Sequence, residues 1–292
     1  MHFDQFPDLE KFLENLEFLR QTDFSKMTYE KIHAEYFKNV ISHHSMGEDF
    51  DDKNIPNLTL YRVRPERTIS ADENLELVQT YSYPPAKNCE NNRANIKGYP
   101  VFYCADDMTA AIKESRLSIN EIGYVSIWKL RLRRKLSFST YMPENLPLEN
   151  TWSASAKYYH SLFLIYLNTI PKEFREHKKA HQKFLVEKFL FENAPYSLTS
   201  MICHTDLYKI GDVDFVVYPS AQTLQNYCNY AFHPNVASNN LIIDRVIRFK
   251  VISYENGQPE VVFGEVGNRK NDRINWGHYD KMEINEWGEL KK

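Results

Sequence analysis

The sequence predicts an α+β protein, and three observations lead there. Apolar residues recur at helical spacing near the amino terminus and again over 155–193, but alternate at strand spacing over 58–64, 124–136 and around Asn256-Gly257. Segments of the two kinds are interspersed without a regular strand–helix–strand rhythm, which disfavours a doubly wound parallel sheet. Neither a G-x-G-x-x-G nor a G-x-x-x-x-G-K-[ST] run occurs, so the glycine-rich phosphate loops of the common nucleotide folds are missing.

Taken in order, Phe12, Leu13, Leu16 and Leu19 repeat every three to four residues, and Tyr29 to Ile41 continues the pattern. Two or three helices are expected over residues 1–57, ending in an acidic loop, G-E-D-F-D-D-K-N-I-P, that marks a boundary. From Leu58 the period changes: Leu58, Leu60, Arg62 and Arg64 alternate with Thr59, Tyr61 and Val63, as in a strand. Tyr81 to Arg93 is polar and proline-bearing and predicts a loop. Pro100 to Cys104 is a short apolar run, expected as a buried strand. Asp106 or Asp107 can then cap a helix through Ala110, Ala111 and Ile112, because a carboxylate accepts from the free N–H groups of a first turn. Tyr124 to Leu136 alternates again, with Trp128, Leu130 and Leu132 opposite Lys129, Arg131 and Arg133.

Residues 139–152 predict a loop, followed by helices near 155–169 and 172–193. Phe215 to Tyr218 and Leu241 to Ile243 are expected as short strands. Arg245 to Tyr254 and Glu260 to Val266 flank Asn256-Gly257, a strong hairpin signal because both residues tolerate positive φ. The charged tail is expected to be irregular. The organisation read from these shifts is a helical region over 1–57, a central domain over 58–255 with a helical insertion at 155–193, and a hairpin strand with a tail over 256–292.

The 292 residues are 42% hydrophobic and 26% charged, ordinary values for a globular protein, and 19 Tyr and 18 Phe supply a substantial core. A net charge of −3 argues against a dedicated nucleic-acid binder. Leu162 to Leu167 is far too short to span a bilayer, and the first residues lack the basic and apolar regions of a signal peptide. Cys89, Cys104, Cys203 and Cys228 form no C-x-x-C pair, so reduced thiols in a cytoplasm are expected, with disulfides the alternative.

One stretch, N-R-A-N-I-K-G-Y-P-V-F-Y-C-A-D-D-M-T-A-A-I-K-E, reads as a turn, a buried strand and the start of a helix. Arg93 lies in the turn between Asn92 and Asn95, both tolerant of left-handed backbone; an arginine fork there suits a pyrophosphate or carboxylate. Tyr103 ends the strand, where its ring can line a pocket. Glu114 sits about two turns into the helix and faces the other two if that helix crosses the strand end. Spacing alone equally allows a surface arginine, a core tyrosine and a solvated glutamate.

The same stretch resembles the core of the RES domain family, whose pattern is a Gly-Arg-(Trp or Ala)-Asn turn, a Gly-x-Pro-x-x-Tyr strand and a helix carrying a glutamate. Leu60-Tyr61-Arg62 matches the family's early strand, and Asp214 to Ser220 its late strand with a serine. Asn92 stands where the family has glycine, and the stretch between Glu114 and Ser220 is longer than usual. The resemblance implies an ADP-ribosyltransferase-like fold, a mixed, split β core with surrounding helices, here extended by N-terminal helices. It implies a toxin that degrades NAD+ by cleaving the nicotinamide–ribose bond, through hydrolysis or phosphorolysis, partnered by an Xre-type antitoxin. Transfer of ADP-ribose to protein is the alternative; a non-catalytic interaction module and a nuclease toxin stand further off. Arg93, Tyr103 and Glu114 would be catalytic, and Arg62, Asn95 and Ser220 would bind the substrate. NAD+ would be consumed, with no cofactor and no metal required, and neither membrane nor nucleic-acid contact is implied.

Other signals count for less. Arg64 reads as a solvated strand position. His177 and His181 share a helix face as H-x-x-x-H, but lack the glutamate and third ligand of a zinc site, so a solvated helix is expected. His43-His44 reads as surface. The stripe Lys129, Arg131, Arg133 with Arg134 and Lys135 reads as a solvated sheet face, with contact to nucleic acid or to an acidic antitoxin as the alternatives.

Overall fold

The computed structural model describes residues 7–40, 46–50 and 58–277, the side chains of 46–50 excepted. Its architecture is α+β. Among the described residues ten strands form one mixed sheet in the order β1-β5-β6-β7-β3-β2-β4-β8-β9-β10. The strands are β1 (Met46–Phe50), β2 (Thr59–Pro65), β3 (Phe102–Ala105), β4 (Ile122–Leu130), β5 (Leu136–Thr140), β6 (Phe215–Pro219), β7 (Cys228–Phe232), β8 (Leu241–Glu255), β9 (Gln258–Lys270) and β10 (Arg273–Gly277). Around them lie α1 (Leu9–Gln21), α2 (Tyr29–Asn39), α3 (Met108–Ser115), α4 (Ser153–Thr169), α5 (Lys172–Phe191), α6 (Ser197–His204), which runs on into a π-helical turn over Thr205–Ile210, and α7 (Pro234–Asn240).

The pair β5–β6 is parallel, and the other neighbours are antiparallel. The sheet is continuous but nearly divided. Between β2 and β3 the ladder holds a single register pair, Tyr61 with Ala105. On one side lie β1, β5, β6, β7 and β3; on the other, β2, β4, β8, β9 and β10 form a run of antiparallel neighbours. The split β core implied by the resemblance is this seam.

Two apolar clusters sandwich the first half. Phe215, Val217, Tyr230 and Phe232 point to one face, packing with Phe102, Trp128, Trp152 and Val236; Val216, Tyr218 and Ala231 point to the other, against Phe12, Leu16, Tyr36, Phe184 and Leu198 of α1, α2, α5 and α6. The N-terminal helices thus share a core with α5 and α6. In the second half α3 covers one face through Ile112, with Leu117 against Val125, Phe249 and Val251.

Several expectations need correction. Glu48 to Phe50, read as an acidic loop, belong to β1 on β5; residues 51–57, His43-His44, Ile41 and the tail beyond 277 lie outside the described residues. The alternation of 124–136 spans two strands that are not neighbours, and Arg131 and Arg133 lie in the turn between them, so the basic stripe is no strand face. Arg134 there grips Asp214 through two 2.6 Å hydrogen bonds. The two strands read over 241–254 are one, β8, whose hairpin turn carries Asn256 at φ 50° and Gly257 at φ 73°. The tail contributes a further strand, β10.

His177 and His181 are buried, not solvated: the ring of His177 hydrogen-bonds the carbonyls of Pro7 and Glu173, and His181 Nε2 lies 2.7 Å from the Tyr36 hydroxyl. Their shared face is the one α5 turns toward the N-terminal helices. Arg64 is likewise paired, its fork on both carboxylate oxygens of Glu73. The four cysteines are free and buried. No helix among the described residues is long and apolar enough to cross a membrane.

Candidate active-site cleft

A cleft of about 500 Å³ opens where the sheet divides. It is lined by Arg62 of β2, Tyr103 of β3, Arg93 of the preceding turn and Glu114 of α3, with Tyr218 and Asn229 from β6 and β7. Its size is in the range of small-molecule sites, roughly 300–1,000 Å³.

The turn forms first. Asn92 and Asn95 exchange two backbone hydrogen bonds of 2.9 and 3.1 Å, and the Asn92 side chain accepts from the Arg93 amide at 2.9 Å. Neither asparagine has a positive φ. The left-handed backbone expected at Asn92 is therefore not needed; its side-chain oxygen closes the turn instead, as asparagine readily does. Tyr103 ties strand to turn, its hydroxyl accepting from the Ala94 amide at 2.7 Å and donating to Asn95 Oδ1 at 2.9 Å. The Asn95 amide nitrogen is spent on the Glu90 and Ile96 carbonyls and on Cys89 Sγ. Asn95 is 3% exposed, so its part is to shape the turn.

The turn carries Arg93 to the end of α5. There Nη1 donates to the Phe189 carbonyl at 2.7 Å, where the helix dipole favours a cation. Nε and Nη2 have no hydrogen-bond partner among the described residues. Arg62 works differently. Its Nη1 donates to the Tyr103 carbonyl at 3.0 Å and its Nε to the Ser82 carbonyl at 3.1 Å, filling the gap the seam leaves beside β3. Burial lowers its pKa to about 10, which leaves it charged at neutral pH.

Glu114 is placed by a short chain of causes. Asp107 caps α3, its Oδ1 accepting from the Ala110 amide at 2.9 Å. Asp106 instead receives the Cys228 amide and the Thr151 hydroxyl. Ala110 and Ala111, packed near Ala105, let the helix lie close to the strands. Two turns on, Glu114 Oε1 accepts from Ser220 Oγ at 2.6 Å and from Asn229 Nδ2 at 2.8 Å. Oε2 has no hydrogen-bond partner among the described residues. Ser220 is 0% exposed and stands behind the carboxylate, not on the wall of the cleft.

The cleft thus gathers Arg62, Arg93, Tyr103, Asn95 and Glu114, with Ser220 reaching it through Glu114. Among the lining residues not singled out from the sequence are Asn229, Tyr218, Tyr196 and Arg116. Asn229 has one faint signal, an amide inside an apolar run. Tyr218 lies opposite it in the β6–β7 ladder, and burial pushes its phenol well above the usual value.

The RES domain family matches residues 59–251, well over half the chain. The chain belongs to the RES domain family. The RES domain is generally enzymatic, acts on NAD+ and is associated with antitoxin partners. Its match begins at β2 and ends within β8, and so contains every cleft residue named above. No curated protein matches the chain.

Proposed function

We propose that this RES protein cleaves the nicotinamide–ribose bond of NAD+. The observation that carries the reading is Glu114: one oxygen is held by two donors from the β6–β7 hairpin, while the other is unengaged among the described residues, in a cleft that also holds an arginine whose fork is partly free. When the glycosidic bond breaks, its electron pair leaves with neutral nicotinamide and positive charge develops on the ribose, as in glycoside cleavage. Glu114 stabilises that charge or holds a ribose hydroxyl; an electrostatic contribution of this kind is worth about 3–4 kcal/mol.

The free edge of Arg93 takes the pyrophosphate. Because the Tyr103 hydroxyl is occupied by the turn, the residue offers its ring, which positions the nicotinamide end by stacking. Arg62 braces the strands under the cleft. Water then attacks the anomeric carbon, giving ADP-ribose and a proton; with inorganic phosphate as acceptor the product is the sugar phosphate instead. The protein is the toxin of a toxin–antitoxin pair with an Xre-type antitoxin, and neither a cofactor nor a metal is invoked.

Purified protein incubated with NAD+ releases nicotinamide, and Glu114→Gln and Arg93→Ala lose nearly all of that activity. Inert wild-type protein, or unchanged turnover in Glu114→Gln, overturns the reading. Labelling of protein with ADP-ribose would transfer the same cleavage chemistry to a different acceptor.

A further inference from the structure

Two residues outside the motif meet across the rim of the cleft. Arg116 ends α3 and Tyr196 precedes α6, so one comes from the Glu114 helix and the other from the long segment between Glu114 and Ser220. Arg116 Nη2 donates to the Tyr196 hydroxyl at 2.7 Å. The face of the same tyrosine ring carries the Arg93 guanidinium, whose central carbon lies 4.5 Å from the ring centroid. A single side chain therefore holds two guanidinium groups, one by its hydroxyl and one by its ring.

Two further facts point to a ligand. Neither arginine has an ion pair with a carboxylate among the described residues, whereas Arg67 on the same wall is paired with Glu121. Two like charges gathered without a counterion repel unless an anion sits between them. Both Arg116 and Tyr196 also keep a left-handed backbone, at φ 51° and 58°, a conformation that glycine adopts with less strain. Side chains at strained positions beside a cleft, holding two guanidinium groups that have no carboxylate partner among the described residues, fit a polyanion that engages both forks.

We propose that Arg116 is a second binding residue for the diphosphate of the dinucleotide, and that Tyr196 is a positioning residue that sets the spacing of the Arg93 and Arg116 guanidinium groups. This rests on the NAD+ reading and adds to it: the helical segment between Glu114 and Ser220 completes the anion subsite through the α5 carbonyls that hold Arg93 and through Tyr196.

The test uses ADP-ribose, which keeps the diphosphate but has no bond to cleave, with adenosine as the uncharged control, in titration calorimetry on the full chain. Arg116→Gly suits the left-handed backbone, so its thermal midpoint stays at or above that of wild type. Loss of one charge-assisted contact weakens ADP-ribose by about tenfold and leaves adenosine unchanged. Tyr196→Phe keeps the ring over Arg93 but releases Arg116, and weakens ADP-ribose less than Tyr196→Leu, which releases both. In turnover, Arg116→Gly raises KM for NAD+ with little change in kcat. An ADP-ribose affinity unchanged in Arg116→Gly, or equal losses for adenosine and ADP-ribose, overturns the proposal whatever the protein does to NAD+. Arg116-dependent binding of ADP-ribose without NAD+ cleavage overturns the reaction but leaves this subsite in place.

Discussion

On one side of the seam every residue of β6 and β7 is buried; on the other, β9 turns part of its length to water and β8 alternates between core and surface. The first half is a short-stranded layer closed by helices on both faces, a setting that favours continuous apolar runs. The second is a series of long hairpins that keeps one face partly wet, with the alternation expected of such sheets. The site draws on them unequally. Ser220 and Asn229, which fix Glu114, come from the enclosed half, where packing holds side chains in single rotamers. Arg62 is the second half's brace, and the arginines offered to an anion come from loops and helix ends at the rim. The Glu114 carboxylate is thus fixed by donors from the enclosed layer, while the helix that carries it packs on the open half.

The largest test of this division lies in the enclosed half. Ser220→Ala and Asn229→Ala each remove one hydrogen bond to a carboxylate, worth about 1.5–3 kcal/mol, so kcat for NAD+ cleavage falls at least roughly tenfold in each. Because both donors meet the same oxygen, the double variant falls by less than the product of the single losses. Equal kcat in all four proteins would detach the hairpin from catalysis.

A smaller effect is expected in the hairpins. A Cβ on Gly267 would stand 2.2 Å from Ile274 Cγ2, and Ile274 is 1% exposed. Gly267→Ala therefore costs about 1–3 kcal/mol in urea unfolding, as overpacking does, with kcat unchanged. A matching loss of kcat would mean that the far edge of the sheet reaches the site.

The smallest effect is a pH dependence beneath the enclosed layer. Burial pushes His204 down to about 4, and its ring packs against Tyr29, Tyr99 and Tyr208 with Nδ1 unpaired among the described residues. The unfolded chain takes up the proton first, from about pH 6.5. Stability is therefore full above that value and declines as pH falls toward 4. Asp106, raised by burial to about 6, acts with the opposite sign, losing its contribution as pH rises through that value. His204→Phe keeps the aromatic packing and leaves Asp106 untouched, so the difference in urea midpoints between pH 7 and pH 5 is smaller in the variant. Identical differences in both proteins would remove His204 from the account.

The same contrast explains what could be read from the sequence. Asn256-Gly257, the alternation of β2 and β8, and the helices α1, α2, α4 and α5 announce themselves through local period and turn chemistry. Arg93, Tyr103 and Glu114 lie within one short stretch, so motif and spacing together place them. Strand β7 is buried on both faces and has no alternation to show. Its Asn229 meets Glu114 through a contact 115 positions long. Strand β1 has an acidic composition that favours a loop, and its pairing to β5 overrides that preference. Arg116 and Tyr196 carry no local signal, since left-handed backbone at arginine and tyrosine arises from the assembled fold. The solvated helix expected at His177 and His181 fails for the same reason: most of the surrounding charges lie on other faces of α5, and Lys178 is buried with the histidines.

The lone register pair joining β2 to β3 separates two properties that most sheets bind together. Elsewhere a change in the spacing of adjacent strands tears a row of main-chain bonds. Along this line the Arg62 side chain stands in for such a row, reaching carbonyls on both Tyr103 and Ser82. The two slabs therefore meet through side chains, Arg62 and the aromatic pair Phe102 and Trp128, so the width of the groove is set by side-chain packing while the strength of each slab rests on its own ladders.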